Sequence, residues 1–338
     1  MDIYQFLENA DVYLQPSAGT DTYKLDITPE GVSFSQTFTE HTYAKKTLHQ
    51  QSHNIKEGSI SKANPADFSF TIPLLKENDF DPVFNLLVDL NTSNTLDTFN
   101  LFFFVDNSAY VIEKCVFTSG NFPINNTSPL SIELSGQGTR LYVYNAPTTG
   151  IHEGKIVNSL GNISTVFQSQ TDVPKFTRAD IVARSNTRTF LPLTEAMLME
   201  TYVAAGSDRS ESLVNLNIEL QNSISWVGYT TVHKRLGVTN NSNSQYPDNF
   251  SLKDRSLAGN ASYYVGKDRS ASTDWIEGTE FTIAALSRSN STDYGLKLIA
   301  PLNITARVTP GSVIANTYDW RLASNADTIS NYFTYTTA

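Results

Sequence analysis

Apolar side chains recur at every second position along much of this chain, and that spacing constrains the fold more than any other feature. Val32, Phe34 and Phe38 mark it over residues 31–38, Phe68, Phe70, Ile72 and Leu74 over 67–74, and Leu216, Ile218 and Leu220 over 213–220. Successive side chains of a strand point to opposite faces. A period of two therefore marks a sheet with one face buried and the other wet. Further strands are expected at 12–15, 110–119, 130–134, 140–144, 256–265, 279–286 and 318–322. Residues 99–105 (FNLFFFV) are almost continuously apolar, which suits a strand covered on both faces. Residues 296–308 read as one long strand interrupted at Pro301, since proline brings no N–H to a ladder. The polar tail, 324–338, lies beyond the last regular segment.

One segment keeps a different period. Val83, Leu86, Leu87 and Leu90 fall at i, i+3, i+4 and i+7, with Asp81 placed to cap and Pro82 at the first helical position. The spacing predicts one short amphipathic helix over 82–91, lying on a sandwich. Residues 186–204 are expected to give a strand and then a short helical turn. Composition agrees with a β-rich chain: charged residues are only 17%, while 16 Tyr and 19 Phe supply apolar surface that fits a pleat. A length of 338 residues exceeds the usual reach of one core. The expected fold is all-β with one or a few short helices, arranged as two tandem β-sandwich domains.

The two halves follow one plan. Tyr13-Leu14 and a polar loop correspond to Tyr202-Val203 and the loop after it. The alternating strand 32–38 corresponds to 216–224, the strand 68–74 to 258–265, and the late pair 110–122 and 130–136 to 296–308 and 313–322. Between the first two strands of each half lies a long basic-polar stretch, 40–62 with Lys45-Lys46 and 228–254 with Lys234-Arg235. Connections of that length are uncommon in compact domains unless they serve a purpose, and a projecting β-hairpin that meets a partner fits both. The resulting division is 1–148, a bridge over 149–190, and 191–338.

Charge narrows the function. Residues 1–150 hold 8 Lys/Arg against 17 Asp/Glu, and residues 151–338 hold 16 against 17, for a total of −10. That balance argues against a nucleic-acid grip, which displaces counterions with cations, and suits a surface that repels DNA. Glu30, Glu40 and Glu133 of the first half are candidates for such a surface. The single cysteine, Cys115, sits in an apolar alternation and reads as a buried small hydrophobe. The first residues have neither a basic start nor a long apolar stretch, so a protein without a signal peptide, folding in a reducing compartment, is expected. No window approaches the roughly 18 apolar residues of a membrane-spanning helix, so no membrane partner is expected.

The search for chemistry returns no catalytic, cofactor-binding or metal-binding set. His49 and His53 stand at i, i+4 but Gln50, Gln51, Ser52 and Asn54 around them offer no third ligand. Gly136-Gln137-Gly138 follows a strand without opening a helix, and reads as a turn or a close backbone approach. Carboxylate pairs such as Glu277/Glu280 and Asp79/Asp81 occur by chance in a chain this acidic. Tyr263, Tyr264 and Trp275 lie close in sequence and suggest, as an alternative, a carbohydrate-binding adhesin-type β-protein. The reading is a structural protein and not an enzyme.

Two stretches carry a family resemblance. Residues 115–138, CVFTSGNFPINNTSPLSIELSGQG, give a strand, a short polar connection and a strand ending in small residues. Residues 213–265 begin LVNLNIELQNSISWVG, pass through a long loop and resume at Arg255-Ser256-Leu257-Ala258-Gly259-Asn260. Both resemble the tail tube proteins of tailed bacteriophages. The resemblance implies sandwiches whose sheets join those of neighbours into a β-barrel ring, with rings stacked head-to-tail into the conduit for genome ejection. Hairpins 40–62 and 228–254 would make the ring-to-ring contacts. With two tube-like units per chain it implies a trimeric pseudo-hexamer in place of a hexamer. Its implied partners are further copies of itself, a tape measure protein, DNA passing without sequence-specific binding, tail terminator and baseplate proteins, and a sheath protein where one exists. Its implied location is the virion tail, after synthesis in the bacterial cytoplasm. A distal tail or hub protein with the same fold is the second reading.

Overall fold

The structure is a computed structural model. It describes residues 10–29, 31–45, 48, 55–75, 81–105, 108–125, 128–145, 174, 176, 178–184, 188–199, 213–227, 246–266, 273–289 and 292–336. The first half contains β1 (Asp11–Pro16), β2 (Tyr23–Leu25), β3 (Ser33–Lys45), β4 (Ile55–Pro73), helix α1 (Asp81–Val88), β5 (Phe99–Val105), β6 (Ser108–Ile124), β7 (Ser131–Gly138) and β8 (Arg140–Asn145). The second contains β9 (Glu195–Met199), β10 (Leu213–Val227), β11 (Asn249–Tyr264), β12 (Trp275–Ser289), β13 (Thr292–Thr309), β14 (Ala315–Leu322), a short 3-10 turn (Ala326–Asn331) and β15 (Phe333–Thr336). The fold is all-β with a single α-helix among the described residues.

The strands link through antiparallel pairs into one large sheet that does not close into a barrel. In the first half the order of pairing is β3-β4-β7-β6-β5-β1, with β8 also on β6. In the second it is β10-β11-β14-β13-β12-β9, with β15 also on β13. The two orders match strand for strand. They put β9 in the place of β1. Tyr202-Val203, the expected counterpart of Tyr13-Leu14, lie outside the described residues.

β6 serves both layers of the first sandwich. It pairs with β8 through Glu113 and with β5 through Cys115, then with β7 from Val116 and with β10 from Ser119. The change falls at Lys114, whose φ of 49° breaks the extended run and whose N–H donates to Asn100 Oδ1 at 3.1 Å. Between the layers the rings of Phe68, Phe99 and Phe117 pack with centroids 4.5–6.0 Å apart. Cys115 is fully buried there, as expected, and its thiol donates to Ile112 O at 3.4 Å. Gly136 is the close approach its sequence suggested, since a Cβ on it would lie 2.2 Å from Phe68 Cζ.

Several expectations shift. Helix α1 ends at Val88 and not at residue 91, because Asn91 turns the chain by accepting the N–H groups of Ser93 and Thr95. β13 runs straight through Pro301. Pro301 O points toward β14 and accepts Ala323 N–H at 2.9 Å, so the ring nitrogen faces that way too and the β12 ladder loses nothing. The polar tail contains β15, which pairs with β13 and brings Phe333 onto Phe84 of α1 and Phe122 of β6. The expected hairpin at 40–62 is present in the register from Glu40↔Ile60 to Lys45↔Ile55, while 228–245, His49 and His53 lie outside the described residues. β10 and β11 continue the second hairpin's base through Val227↔Asn249. The helical turn expected within 186–204 is replaced, where described, by strand β9.

Candidate functional site

The place where the halves meet is the most built feature of the molecule. β10 opens the second half's own order, yet its other edge pairs with β6 of the first, from Leu216↔Ile124 to Gln221↔Ser119. The sheet thus passes from one half to the other without a break. On its inner face Phe122, Ile124, Leu216, Ile218 and Leu220 are buried together. Alternation made each strand legible, but no local signal says that β10 joins β6, because pairing between distant segments is fixed by shape and not by period.

A buried arginine locks this seam. Arg255, on β11, is 5% exposed. Its Nη2 donates to Leu87 O at 3.2 Å and Val88 O at 2.8 Å, the free carbonyls at the end of α1, and its Nε donates to Asn222 Oδ1 at 2.8 Å. Asn222 in turn donates to Leu87 O and Phe117 O. A cation at a helix C-terminus is also favoured by the helix dipole. Burial pushes the guanidinium's pKa down, and Asp327 and Asp89 oppose that shift. Beneath α1, Gly120 leaves room for Leu87: a Cβ there would lie 2.4 Å from Leu87 Cδ2. Farther along, Trp226 Nε1 donates to Gln137 Oε1 at 2.9 Å, and Tyr246 stacks under the Arg140 guanidinium at 4.5 Å.

The other face of the same sheet is polar across the seam. One row of paired residues reads Ser33, Ser69, Ser135, Ser119, Gln221, Ser256. The next reads Thr71, Glu133, Asn121, Glu219, Ala258, Arg321, Asn303. Of the three expected acids, Glu133 belongs to this face and accepts Asn121 Nδ2 at 2.8 Å. Glu40 is exposed on the β3–β4 hairpin, beyond these rows, and Glu30 lies outside the described residues. Asp67, Glu219 and Asp319 also belong to the face, the last paired with Arg307 at 3.3 Å. Their place was hidden in the sequence, because a lone acid in an alternation does not say which face is wet.

The two ends of this surface differ. β3 pairs with β4 on one side and with no described strand on the other. On β13, the edge that corresponds to the β6 seam holds, among the described residues, the start of β12, with Trp275 and Ile276 opposite Thr305 and Ile304 and Ala306 N–H donating to Asp274 O. Nearby, Tyr264, Val308, Val313 and Ile314 are exposed, from 37% to 51%.

The aromatic trio considered for carbohydrate is not gathered into a platform. Tyr263 is turned inward, its hydroxyl donating to Leu198 O and accepting Leu198 N–H. Tyr264 pairs with Ala315, whereas Trp275 lies beside Thr305, whose β14 partner is Asp319, four residues or about 13 Å along the strand. Among the described residues no group of three His, Cys, Asp or Glu is placed to hold a metal, and no helix is long and apolar enough to cross a membrane. The cleft beside Arg255 mixes Lys253, Asp254, Arg321 and Asp327, both signs of charge without a histidine or cysteine in its lining.

No family model matches the chain, and no curated protein does. Among solved structures the chain is similar to one in the cryo-EM structure of the anti-feeding prophage (AFP) baseplate, 6-fold symmetrised, with a TM-score of 0.33 and 7% identity over 43% of this chain and 96% of that one.

Proposed function

We propose that this chain is a structural, non-enzymatic protein of a phage-type tail that assembles from two tube-like units per chain into rings, three chains to a pseudo-hexamer, which stack into a tube. The observation that carries the reading is the β6–β10 seam. It joins two strand sets of the same pairing order into one sheet, and among the described strands β3 of the first set pairs on one edge alone. An unpaired edge is a hazard in a monomer and a joint in an assembly. If β3 of a neighbouring chain takes the place on β13 that β10 takes on β6, the seam repeats and the ring closes. The polar face then lines the lumen, where Asp67, Glu133 and Glu219 discourage passing DNA from binding. The hairpins 40–62 and 228–254 reach the adjacent rings.

Negative-stain microscopy and mass photometry of the purified chain test this. Rings or hollow tubes, with a trimer as the smallest closed species, are expected. A single closed ring that never stacks favours the distal tail or hub reading. A chain that stays monomeric at tens of micromolar overturns both.

A further inference from the structure

The β6–β10 seam can be carried residue by residue onto the far end of the sheet. Val265 N–H donates to Ile314 O at 2.9 Å in the second half, as Leu74 N–H donates to Leu130 O at 2.8 Å in the first. These bonds close matching corners, so they align β11 with β4 and β14 with β7. Gly259 then answers Phe68, and their partners Ile218 and Phe34 answer each other. In the other direction Asp319 answers Ser135, and their partners Thr305 and Ser119 answer each other. Within the chain Ile218 lies opposite Phe122 and Leu220 opposite Gly120. The same seam between two copies sets Phe34 opposite Val308 and Gln36 opposite Ala306. The two edges suit each other. Val32 and Phe34 are half-buried where Leu216 and Ile218 are fully buried, and Val308 is exposed where Phe122 is covered.

Part of that place is taken. Among the described residues β5 reaches β6 as far as Cys115, opposite Phe99. Leu14 pairs with Leu101 and Leu198 with Ile283, so Phe281 of β12 answers Phe99. β12 begins well before Phe281, at Trp275. The added stretch sets Trp275 opposite Thr305 and brings Asp274 O to Ala306 N–H at 3.1 Å. Those are the places that Gln221 and Leu220 fill on Ser119 and Gly120. One edge of a strand carries one ladder, so the stretch and a second β3 exclude each other there. Its hold is light. The register breaks between Ile276 and Thr279, around Gly278 with φ 64°, and Trp275 is 71% exposed.

We propose that β13 receives β3 of a second copy with Phe34 opposite Val308, and that residues 274–276 are a strap on this edge that swings aside to admit it. The proposal rests on the ring reading and adds a step to it. The strap covers the joining edge of the free chain and raises the concentration at which chains associate. The bulge at Gly278 is the hinge on which it moves.

Two experiments on the full chain test it. Ala306 N–H is turned toward this edge, so Trp275 and Thr305 form a non-hydrogen-bonded pair. Cα atoms of such pairs lie about 4.5 Å apart, within reach of a disulfide. Trp275→Cys with Thr305→Cys therefore locks the strap when oxidised, the native Cys115 being fully buried. The oxidised chain is expected to lose assembly at concentrations where the parent forms rings, and reduction to restore at least the parent's level, since the reduced strap is held less well than before. Assembly undiminished by oxidation overturns the strap while the ring reading stands, and so does failure to assemble in both states. The second experiment reads the register. The seam sets Ser35 of one copy opposite Arg307 of the next, as Glu219 lies opposite Asn121. Rings of Ser35→Cys with Arg307→Cys should give, on oxidation, a ladder of covalent multimers ending at the trimer. Ser33→Cys with Arg307→Cys should give about tenfold less, because its sulfurs are about 7 Å out of register. Equal or reversed yields, or a link within one chain, overturn the docking. A parent chain that never assembles refutes the ring reading itself, and the docking with it.

Discussion

Arg255→Met offers the most direct test of the seam. Methionine keeps much of the stem's volume but none of its donors, so the change isolates the fork. Val88 O and Asn222 Oδ1 each lose the guanidinium, while Leu87 O keeps Asn222 Nδ2. A buried acceptor left without a donor costs about 1–3 kcal/mol, so the pair costs about 2–6 kcal/mol. The lower end already shifts the folding equilibrium about 30-fold. Hydrogen exchange at the amides of α1 reads the effect locally, and urea unfolding of the dilute chain reads it globally. The helix should open more easily by the same amount, because its last carbonyls are held by this side chain. Arg255→Lys restores the charge but not the planar fork, and should fall between the two. If Arg255→Met unfolds within about 1 kcal/mol of the parent, the clamp contributes little and the argument fails.

Gly120→Ala should cost about 1–3 kcal/mol by pressing on Leu87, 2.4 Å from the added Cβ; in a double-mutant cycle with Leu87→Ala the combined loss should fall short of the sum, and strict additivity would show that the two do not meet. Burial raises the Tyr13 phenol above its ordinary pKa, with Asp11 adding to the shift and Arg184 opposing it. Its neutral form is therefore favoured in the fold. This contribution is present below about pH 10 and is lost as pH rises past it, so Tyr13→Phe should unfold less readily than the parent in alkaline urea titrations and no differently at pH 7 on this account. Burial likewise pushes the Cys115 thiol up, so its reaction with a disulfide reagent should track global unfolding; fast labelling of the native chain would contradict its place between the layers.

What the sequence revealed and what it hid divide along one physical line. Alternation reports burial on one face, so β3, β4, β7, β10 and β11 were legible from Phe34, Phe68, Phe70, Leu134, Ile218 and Leu257 alone. It is silent about partners. Nothing in Leu216 or Ile124 says that they meet, and the seam came from the structure. β15 was missed because Thr334 and Thr336 flank only Phe333 and Tyr335, too short and polar a run to stand out. Pro301 misled because the rule against proline applies to the side the nitrogen faces, and a sequence does not show that side. Arg255 looked like part of a basic strand start; its burial depends on carbonyls from a helix more than 160 positions away. The pairing order puts β9 in the place of β1, whereas Tyr13-Leu14 suggested Tyr202-Val203, which lie outside the described residues.

One pair of contacts bears on how such a chain avoids tangling with itself. In β4 and β7, Phe68 faces Gly136; in β11 and β14, Gly259 faces Trp320. Each pair holds one ring and one bare backbone, with the owner exchanged. A Cβ on either glycine would fall within 2.5 Å of its ring or of the neighbouring backbone. Two strand sets of like order on one chain invite mispairing as they fold. Were β4 to settle against β14, Phe68 and Trp320 would compete for a single slot. Were β11 to settle against β7, Gly259 and Gly136 would leave a void. Both wrong pairings would be penalised by volume alone, which favours each strand's pairing within its own half.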